Sequence, residues 1–495
     1  MDLTINHIIV GAYFAILFLL MVYCLHRYSI LFLYFINKRK IKPGPPLPAR
    51  LPCVTVQLPV YNEMYVVQRL INATVKLRYP KELLHVQVLD DSTDETSVIA
   101  SQRVAELQAA GYVIDYLHRE HRHGYKAGAL QEGLKQARGE LIAIFDADFV
   151  PQEDFLQQTI PYFSNPQVGM VQGRWGHINR SYSFLTQVQA MFIDAHFILE
   201  HSARYLSGRF FNFNGTAGIW RKDCIIAAGG WQHDTLTEDL DLSYRAQLAG
   251  WKFIFLPQTI TPAEIPVDIN AFKSQQHRWS KGGIETARKL FPVIIRSNQA
   301  WRVKLEALFH LSCNINYLLF FVLAVLAYPA LIIRIKMGWR GLFIFDLMLF
   351  WGSTVPIGLY YLISQKEAGE PWMQKILYLP FIMAMGIGLC INNGRGVLEA
   401  LLGYKSAFLR TPKFQIVNRS DQWKYKIYRG DTKNIMTLIE LGLGLYFLSA
   451  VIFAAVYEVY DAIPFLTLFA GGFMYISLVS FFQKYAAGSD IKTAA

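Results

Sequence analysis

The stretch ELIAIFDADFVPQ, Glu140–Gln152, decides the fold. Leu141 to Phe145 is a short apolar run that ends on Asp146 and Asp148, with only Ala147 between them. Such a run is the pattern of a buried strand in a parallel sheet, and ligands gather beyond the carboxyl ends of such strands. Two carboxylates one residue apart at a strand end can share a hard divalent cation with a diphosphate. An isolated Asp-x-Asp is more often a polar turn, so the neighbouring segments decide what this one is.

Working outward, Val54–Pro59, Val86–Leu89 and Val113–Tyr116 read as further strands. Helical spacing fills the intervals at Glu63–Leu77, Glu95–Ala109 and Tyr125–Ala137. Strands alternating with helices predict βαβ units and a mainly parallel sheet. Polar residues recur where these strands end. Tyr61, Asn62 and Glu63 follow the first, DDSTDET (Asp90–Thr96) follows the second, and Asp146-Ala147-Asp148 follows the fourth. Asp91, Ser92 or Asp94 could each cap the next helix. Polar ends gathered on one face of a parallel sheet point instead to a shared nucleotide-diphosphate site.

Outside this domain the chain changes character. Over its 495 residues it is 53% hydrophobic and only 17% charged, against about 25% charged in ordinary soluble domains. That deficit predicts a membrane protein. The net charge of +11 sits beside apolar spans, which fits loop orientation and anionic lipid or substrate phosphates, and no nucleic acid. Cys24, Cys53, Cys224, Cys313 and Cys390 are scattered without a Cys-x-x-Cys pair, so neither a disulfide framework nor a zinc site is expected.

Ile8–Ile36 predicts a spanning helix within residues 1–42, and Lys38, Arg39, Lys40 and Lys42 place its end in the cytosol. Prolines at 43, 45, 46, 48 and 52 make residues 43–53 a stiff linker. The α/β domain then occupies 54–265, and 266–305 reads as amphipathic interfacial helices. Residues 306–495 return to the membrane, with spans at Leu311–Ile333, Leu342–Ile363, Met436–Val456 and Ile463–Phe482. The loop Tyr404–Lys433 holds eight Lys or Arg against two Asp, which places it in the cytosol. An even number of crossings before it requires the segment 376–400 to be interfacial or re-entrant, giving five full spans. Arg334, Lys336 and Arg340 would then face outward, against the charge rule. After Phe482 a short tail without a regulatory domain is expected.

Seven motifs carry a resemblance: LPVYNE, VLDDSTDET, HGYKAGAL (His123–Leu130), FDADF, FNGTAGIWR (Phe213–Arg221), TEDLDLSYRAQLAGW (Thr237–Trp251) and QQHRW (Gln275–Trp279). In this order the chain resembles the processive family-2 glycosyltransferases of the cellulose synthase superfamily, especially the cellulose-synthase-like mannan and glucan synthases. The resemblance implies an α/β domain of GT-A fold inserted between transmembrane helices. It also implies a nucleotide-sugar donor (UDP- or GDP-hexose), Mg2+ or Mn2+, and inversion at the anomeric carbon.

The same resemblance distributes roles over the site. Asp148 and Asp146 would bind the cation, with Asp146 also able to contact nucleotide. Tyr61 and Glu63 would line the nucleotide pocket and Asp91 would contact the base, although Asp90 could exchange roles with it. Lys126 would reach a phosphate or sugar oxygen. Asp239 would be the base that takes the acceptor hydroxyl's proton. Glu238 lies beside it, but Thr235 and Glu238 are also spaced as a helix capping box. Arg278 can clamp diphosphate oxygens, Trp279 offers a face to a sugar ring, and Gln275 and Gln276 can bond nucleotide or acceptor. Asn214 and Thr216 are available to acceptor hydroxyls. TPKFQIVNR, from Thr411, stands where cellulose synthases carry a gating loop with Phe-x-Val-Thr-x-Lys. Here Thr411 and Lys413 precede Phe414, so gating does not follow from the motif.

Three functions compete. A processive synthase would elongate a β-linked hexose polymer and thread it through its own spans. A non-processive enzyme would place one sugar on a membrane lipid. A transporter or sugar-binding scaffold with a dead domain would not retain all of the DAD, TED and QQHRW elements. The setting is an integral, multi-pass protein of a plasma, inner or Golgi membrane with its catalytic domain in the cytosol.

Overall fold

The computed structural model describes residues 3–40, 43–428 and 434–489. The expectations for Lys42, for the end of the basic loop at 429–433 and for residues 490–495 lie outside them.

Helix α1 (Leu3–Asn37) is followed by a short 3₁₀ turn, Lys38–Lys40. The α/β domain begins with β1 (Val54–Val60), α2 (Val67–Thr74), β2 (Leu84–Asp90), α3 (Thr96–Ala109), β3 (Ile114–His118), α4 (Tyr125–Gln136) and β4 (Leu141–Ile144). Helix α2 is the one element here that departs clearly from expectation. Residues 63–66 form a turn in which the Glu63 carbonyl accepts from the amides of Val66 and Val67, and the helix starts only after it. That turn aims the Glu63 side chain at the strand ends.

The chain continues through α5 (Phe155–Thr159), β5 (Val168–His177), α6 (Phe184–Ala195), a π-helical turn (His196–His201) and α7 (Ser202–Leu206). Then come β6 (Gly218–Arg221), α8 (Lys222–Ala227), α9 (Glu238–Leu248) and β7 (Lys252–Ala263). The seven strands lie in the order β3-β2-β1-β4-β6-β5-β7. All neighbouring pairs are parallel except those of β6, which runs against both β4 and β5. The sheet is therefore mixed and mostly parallel. Strands β1 and β2 are buried along their whole length, as their apolar runs require. Register does the rest: Val60 pairs with Asp90 and Gln57 with Ile144, so the polar segments after β1, β2 and β4 leave the sheet at one edge.

The remaining helices are α10 (Ile269–Arg296), α11 (Trp301–Ser312), α12 (Ile315–Lys336), α13 (Phe343–Glu367), α14 (Leu379–Gly388), α15 (Cys390–Leu402), α16 (Asn434–Val456) and α17 (Ile463–Ser489). Among the described residues five helices are long and apolar enough to cross a membrane, namely α1, α12, α13, α16 and α17. Helices α14 and α15 form a pair bent by 42°, either a broken span or a re-entrant segment, where the sequence predicts an interfacial or re-entrant one. The troublesome Arg334 is only 2% exposed: its guanidinium is paired with Asp346 of α13 and lies 4.4 Å from the Phe343 ring. Its charge is neutralised inside the helix bundle, so it does not weigh as a loop charge. Helix α10, which carries QQHRW, is held to the membrane helices by ionic contacts. Lys273 and Glu440 of α16 are both fully buried and 2.6 Å apart, and Lys281 lies 3.3 Å from Glu399 of α15.

Candidate active site

A cavity of about 170 Å³ opens at the shared strand edge. Tyr61, Glu63, Asp91, Lys126, Asp146 and Asp148 line it from the sheet side. Asn214, Glu238, Asp239, Gln275, Arg278 and Trp279 close it from the side of α9 and α10. Gln276 does not line this cavity. It faces a second one of about 500 Å³ that runs between the membrane helices. The two cavities share Trp175, Asn214, Asp239, Gln275 and Trp279 in their walls.

The second-strand acids separate cleanly. Asp90 is fully buried and ties β2 to β3, accepting from the Tyr116 hydroxyl at 2.6 Å and the Ser92 amide at 2.9 Å. Asp91 lines the cavity and is gripped through both oxygens by Arg119, at 2.7 and 2.5 Å. Of the expected caps only Asp94 bonds the start of α3, accepting from the Thr96 amide at 3.0 Å. The Arg122 guanidinium carbon lies over the Tyr61 ring, 3.5 Å from its centroid.

The Lys126 ammonium donates to Asp146 at 2.5 Å and to the Gly215 carbonyl at 2.9 Å. Burial opposes its charge, but the carboxylates of Asp146 and Glu238 overcome that and raise its pKa. Gly215 has φ +79°, and a Cβ there would lie 3.0 Å from Asp239 Oδ2 and 3.3 Å from the Lys126 ammonium. Only glycine lets this loop come so close to both groups. Thr216 is fully buried and its hydroxyl accepts from the Asp146 amide at 2.9 Å, so it fixes the DAD turn and is not open to an acceptor hydroxyl.

Asp239 stands in the first turn of α9, where Oδ1 accepts from the Leu240 amide at 2.8 Å. Burial, and then the adjacent Glu238 charge, push its pKa up to about 7. The predicted capping box does not form. The N-cap is Thr237, whose hydroxyl bonds Thr286 and makes no capping bond to the helix backbone, and the Thr235 hydroxyl has no partner. Glu238 is buried in the site instead, among the groups that face Lys126 and Arg278.

The basic loop after α15 contributes residues to which the motif comparison gave no role in the site. Phe408, Arg410, Thr411 and Lys413 all line the cavity. The Lys413 ammonium donates to Asp148 Oδ2 at 2.7 Å and to the Glu264 carbonyl at 2.5 Å. Arg410 lies 3.1 Å from Glu63, and Phe408 stacks under Arg278 at 4.6 Å. Glu63 is pushed up to about 7 by burial, against the pull of Arg410. The loop packs into the site despite its altered order because Phe414 is anchored separately, its amide donating to Glu264 at 2.7 Å. The density of Lys and Arg between 404 and 428 was the available signal for these residues; which acids they meet was not in it.

Among the described residues no three His, Cys, Asp or Glu side chains converge as a ready metal cage. All five cysteines are free.

Comparison with known proteins places this geometry. Residues 52–282 match the family described as Glycosyltransferase like family 2. Probable glucomannan 4-beta-mannosyltransferase 10 of Arabidopsis thaliana is 44% identical over 253 residues, 50% of this chain and 46% of that protein. Glucomannan 4-beta-mannosyltransferase 9 of the same plant is 32% identical over 408 residues, 80% of this chain and 74% of its own. The chain spans about half the length of several curated relatives that it matches, as 52% for Glucomannan 4-beta-mannosyltransferase 2 of Arabidopsis thaliana. A solved mannosyltransferase from Pyrobaculum calidifontis, in complex with GDP-Man and Mn2+, shares the GT-A fold: TM-score 0.51 at 20% identity, over 79% of this chain and 100% of that one. With four fifths of its length aligned to a relative and its α/β domain inside the family match, the chain belongs to glycosyltransferase family 2, where the curated relatives that it matches are named glucomannan 4-beta-mannosyltransferases.

Proposed function

We propose that the protein is an inverting membrane hexosyltransferase that extends a β-linked polysaccharide from a nucleotide sugar and passes the product into its own membrane bundle. The observation that carries this reading is the common wall of the two cavities. Asp239, Trp279 and Asn214 belong to both the strand-edge site and the cavity between the membrane helices. A chain end seated on Trp279 would have its reacting hydroxyl by Asp239 and its remaining sugars in the larger cavity. Of the two donors, GDP-mannose is favoured over UDP-glucose, because the relatives bear mannosyltransferase names.

The chemistry follows from the groups in place. The acceptor oxygen attacks the anomeric carbon from the face opposite the diphosphate. As that C–O bond forms, the anomeric carbon–phosphate oxygen bond breaks and the nucleoside diphosphate leaves with the electron pair. Asp239 takes the acceptor's proton, for which a carboxylate pKa near 7 is suited. Arg278 faces Asp146 and Asp239 and can hold the departing diphosphate. Asp146 and Asp148 fit a Mg2+ or Mn2+ ion: two carboxylates plus substrate phosphates are its usual donor set, and each acid now holds a lysine ammonium in the place a cation would take. When bound, that ion neutralises charge on the leaving group. Lys413, bonded to Asp148 Oδ2, would compete with such an ion for that carboxylate.

The bundle orientation rests on charge. Lys38, Arg39 and Lys40 after α1 and the basic loop after α15 share the side of the α/β domain, which we assign to the cytosol. Purified protein given Mn2+ or Mg2+ with each of GDP-mannose and UDP-glucose tests the transferase reading. Release of nucleoside diphosphate coupled to β-linked product supports it; retention of both donors intact under all conditions sinks it.

A further inference from the structure

The cavity between the membrane helices meets a third one at its far end. Leu17 of α1, Phe350 of α13 and Phe465 of α17 line the membrane cavity, and the same three side chains line a further cavity of about 240 Å³. The two follow one another in register along the helices that they share. On α1 the larger cavity takes Arg27, Cys24, Leu20 and Leu17, and the further one takes Leu17 and Tyr13. On α12, running the other way, Tyr317, Phe320 and Leu323 come first and Ala327, Leu331 and Arg334 follow. On α13 the order is Tyr361, Phe350, Asp346. At about 1.5 Å per residue these spans cover roughly 20–25 Å of helix axis, most of the thickness of a bilayer's hydrocarbon core.

The junction is apolar. Leu17 is 6% exposed, and Phe350 meets Phe465 edge-on at 6.3 Å. A constriction of such side chains sheds water and so shuts a passage to ions and small solutes. Beyond it polar groups return. Asp346 is paired with Arg334 and accepts from the Tyr13 hydroxyl at 2.5 Å, while Asp461 is exposed. Trp351, 55% exposed, adds a broad aromatic face to the same wall. Ionisable side chains inside a membrane bundle mark the paths of polar substrates. The pair that breaks the charge rule thus stands in the wall of a cavity, far along the bundle from the transfer chemistry.

We infer that this third cavity, with Arg334, Asp346, Trp351 and Asp461 in its wall, is the outlet for the growing sugar chain, and that Leu17, Phe350 and Phe465 form its gate. The gate is shut in the resting protein and is parted by the chain itself. This deepens the proposed function and rests on it.

The test uses the full-length protein in vesicles with its α/β domain outward and a small, membrane-impermeant methanethiosulfonate trapped inside. Asp461→Cys lies on the outlet side of the three apolar residues, and Thr354→Cys, in the wall of the larger cavity, lies behind them. The same chains without the added cysteine give the background. At rest Asp461→Cys is labelled and Thr354→Cys is not. Adding Phe350→Ala and Phe465→Ala to Thr354→Cys lets the reagent reach it, and transfer to a short acceptor shows that this variant is folded. During synthesis from GDP-mannose and Mn2+, Asp461→Cys loses its labelling because the chain fills the outlet. Labelling of Thr354→Cys behind the intact gate overturns the inference, as does its absence in a folded variant without the two phenylalanines. Neither arm needs a donor. Polymer that gathers inside the vesicles while Asp461→Cys is labelled at an unchanged rate overturns the outlet and leaves the transferase reading standing. A protein that makes no polymer from any donor removes that reading, and the outlet with it.

Discussion

The Lys413 ammonium lies 2.7 Å from Asp148 Oδ2, so a residue of the loop between α15 and α16 sits on the second acid of the DAD motif. The two are 265 residues apart in sequence. A loop whose charge marks it as cytosolic, and whose motif order left gating in doubt, thus forms a wall of the site. On the proposed reading of Asp148 as a cation ligand, the loop and the metal would compete for one carboxylate.

Removing that competitor has a measurable result. Lys413→Gln should bind Mn2+ without nucleotide several-fold more tightly than the wild type, about threefold or more for an ion pair in a partly enclosed site. Titration calorimetry or Mn2+ electron paramagnetic resonance reads this directly. Unchanged affinity would mean that Lys413 does not oppose the cation.

Asp148→Asn should remove metal-dependent turnover by about a hundredfold or more, because charge on the leaving group loses its partner. Excess Mn2+ should recover only part of the loss. A variant with wild-type rate at the same metal concentration would contradict the assignment of Asp148.

The base assignment carries a pH dependence. Asp239 acts only when ionised, and burial beside Glu238 raises its pKa to about 7. The sign is therefore a loss of kcat/KM as pH falls through about 7, approaching tenfold per unit below it, with a plateau above. Glu63 titrates near the same value, so Glu63→Gln should be run alongside. An acid limb centred near 4 in both enzymes would place the proton chemistry elsewhere.

The buried Lys273–Glu440 pair ties helix α10 to α16. Lys273→Met alone should destabilise the protein by about 3–5 kcal/mol, since it strands a buried carboxylate, whereas adding Glu440→Leu should recover most of that. Thermal unfolding in detergent compares the three proteins. Equal losses in single and double variants would show that the pair is not coupled.

The parallel half of the sheet was legible in the sequence because its strands are buried on both faces and read as unbroken apolar runs. The edge they share followed from topology alone, and it collected Tyr61, Glu63, Asp91, Asp146 and Asp148 as expected. What the sequence hid depends on partners distant along the chain. Thr235 and Glu238 have capping-box spacing, yet Glu238 turns to the site cations. Thr216 has a free-looking hydroxyl that the DAD backbone uses. Arg334 violates the charge rule until Asp346 is seen beside it. Arg410 and Lys413 meet their acids through a loop whose motif order gave no guide.

The central claim is that one site makes a polymer and feeds it through the membrane bundle. Protein reconstituted into vesicles with its α/β domain outward, given labelled GDP-mannose and a divalent cation, tests it most directly. Polymer of many sugars, protected inside the vesicles from an added endo-β-mannanase, is the predicted result. A single labelled sugar that extracts into organic solvent with a lipid would contradict it.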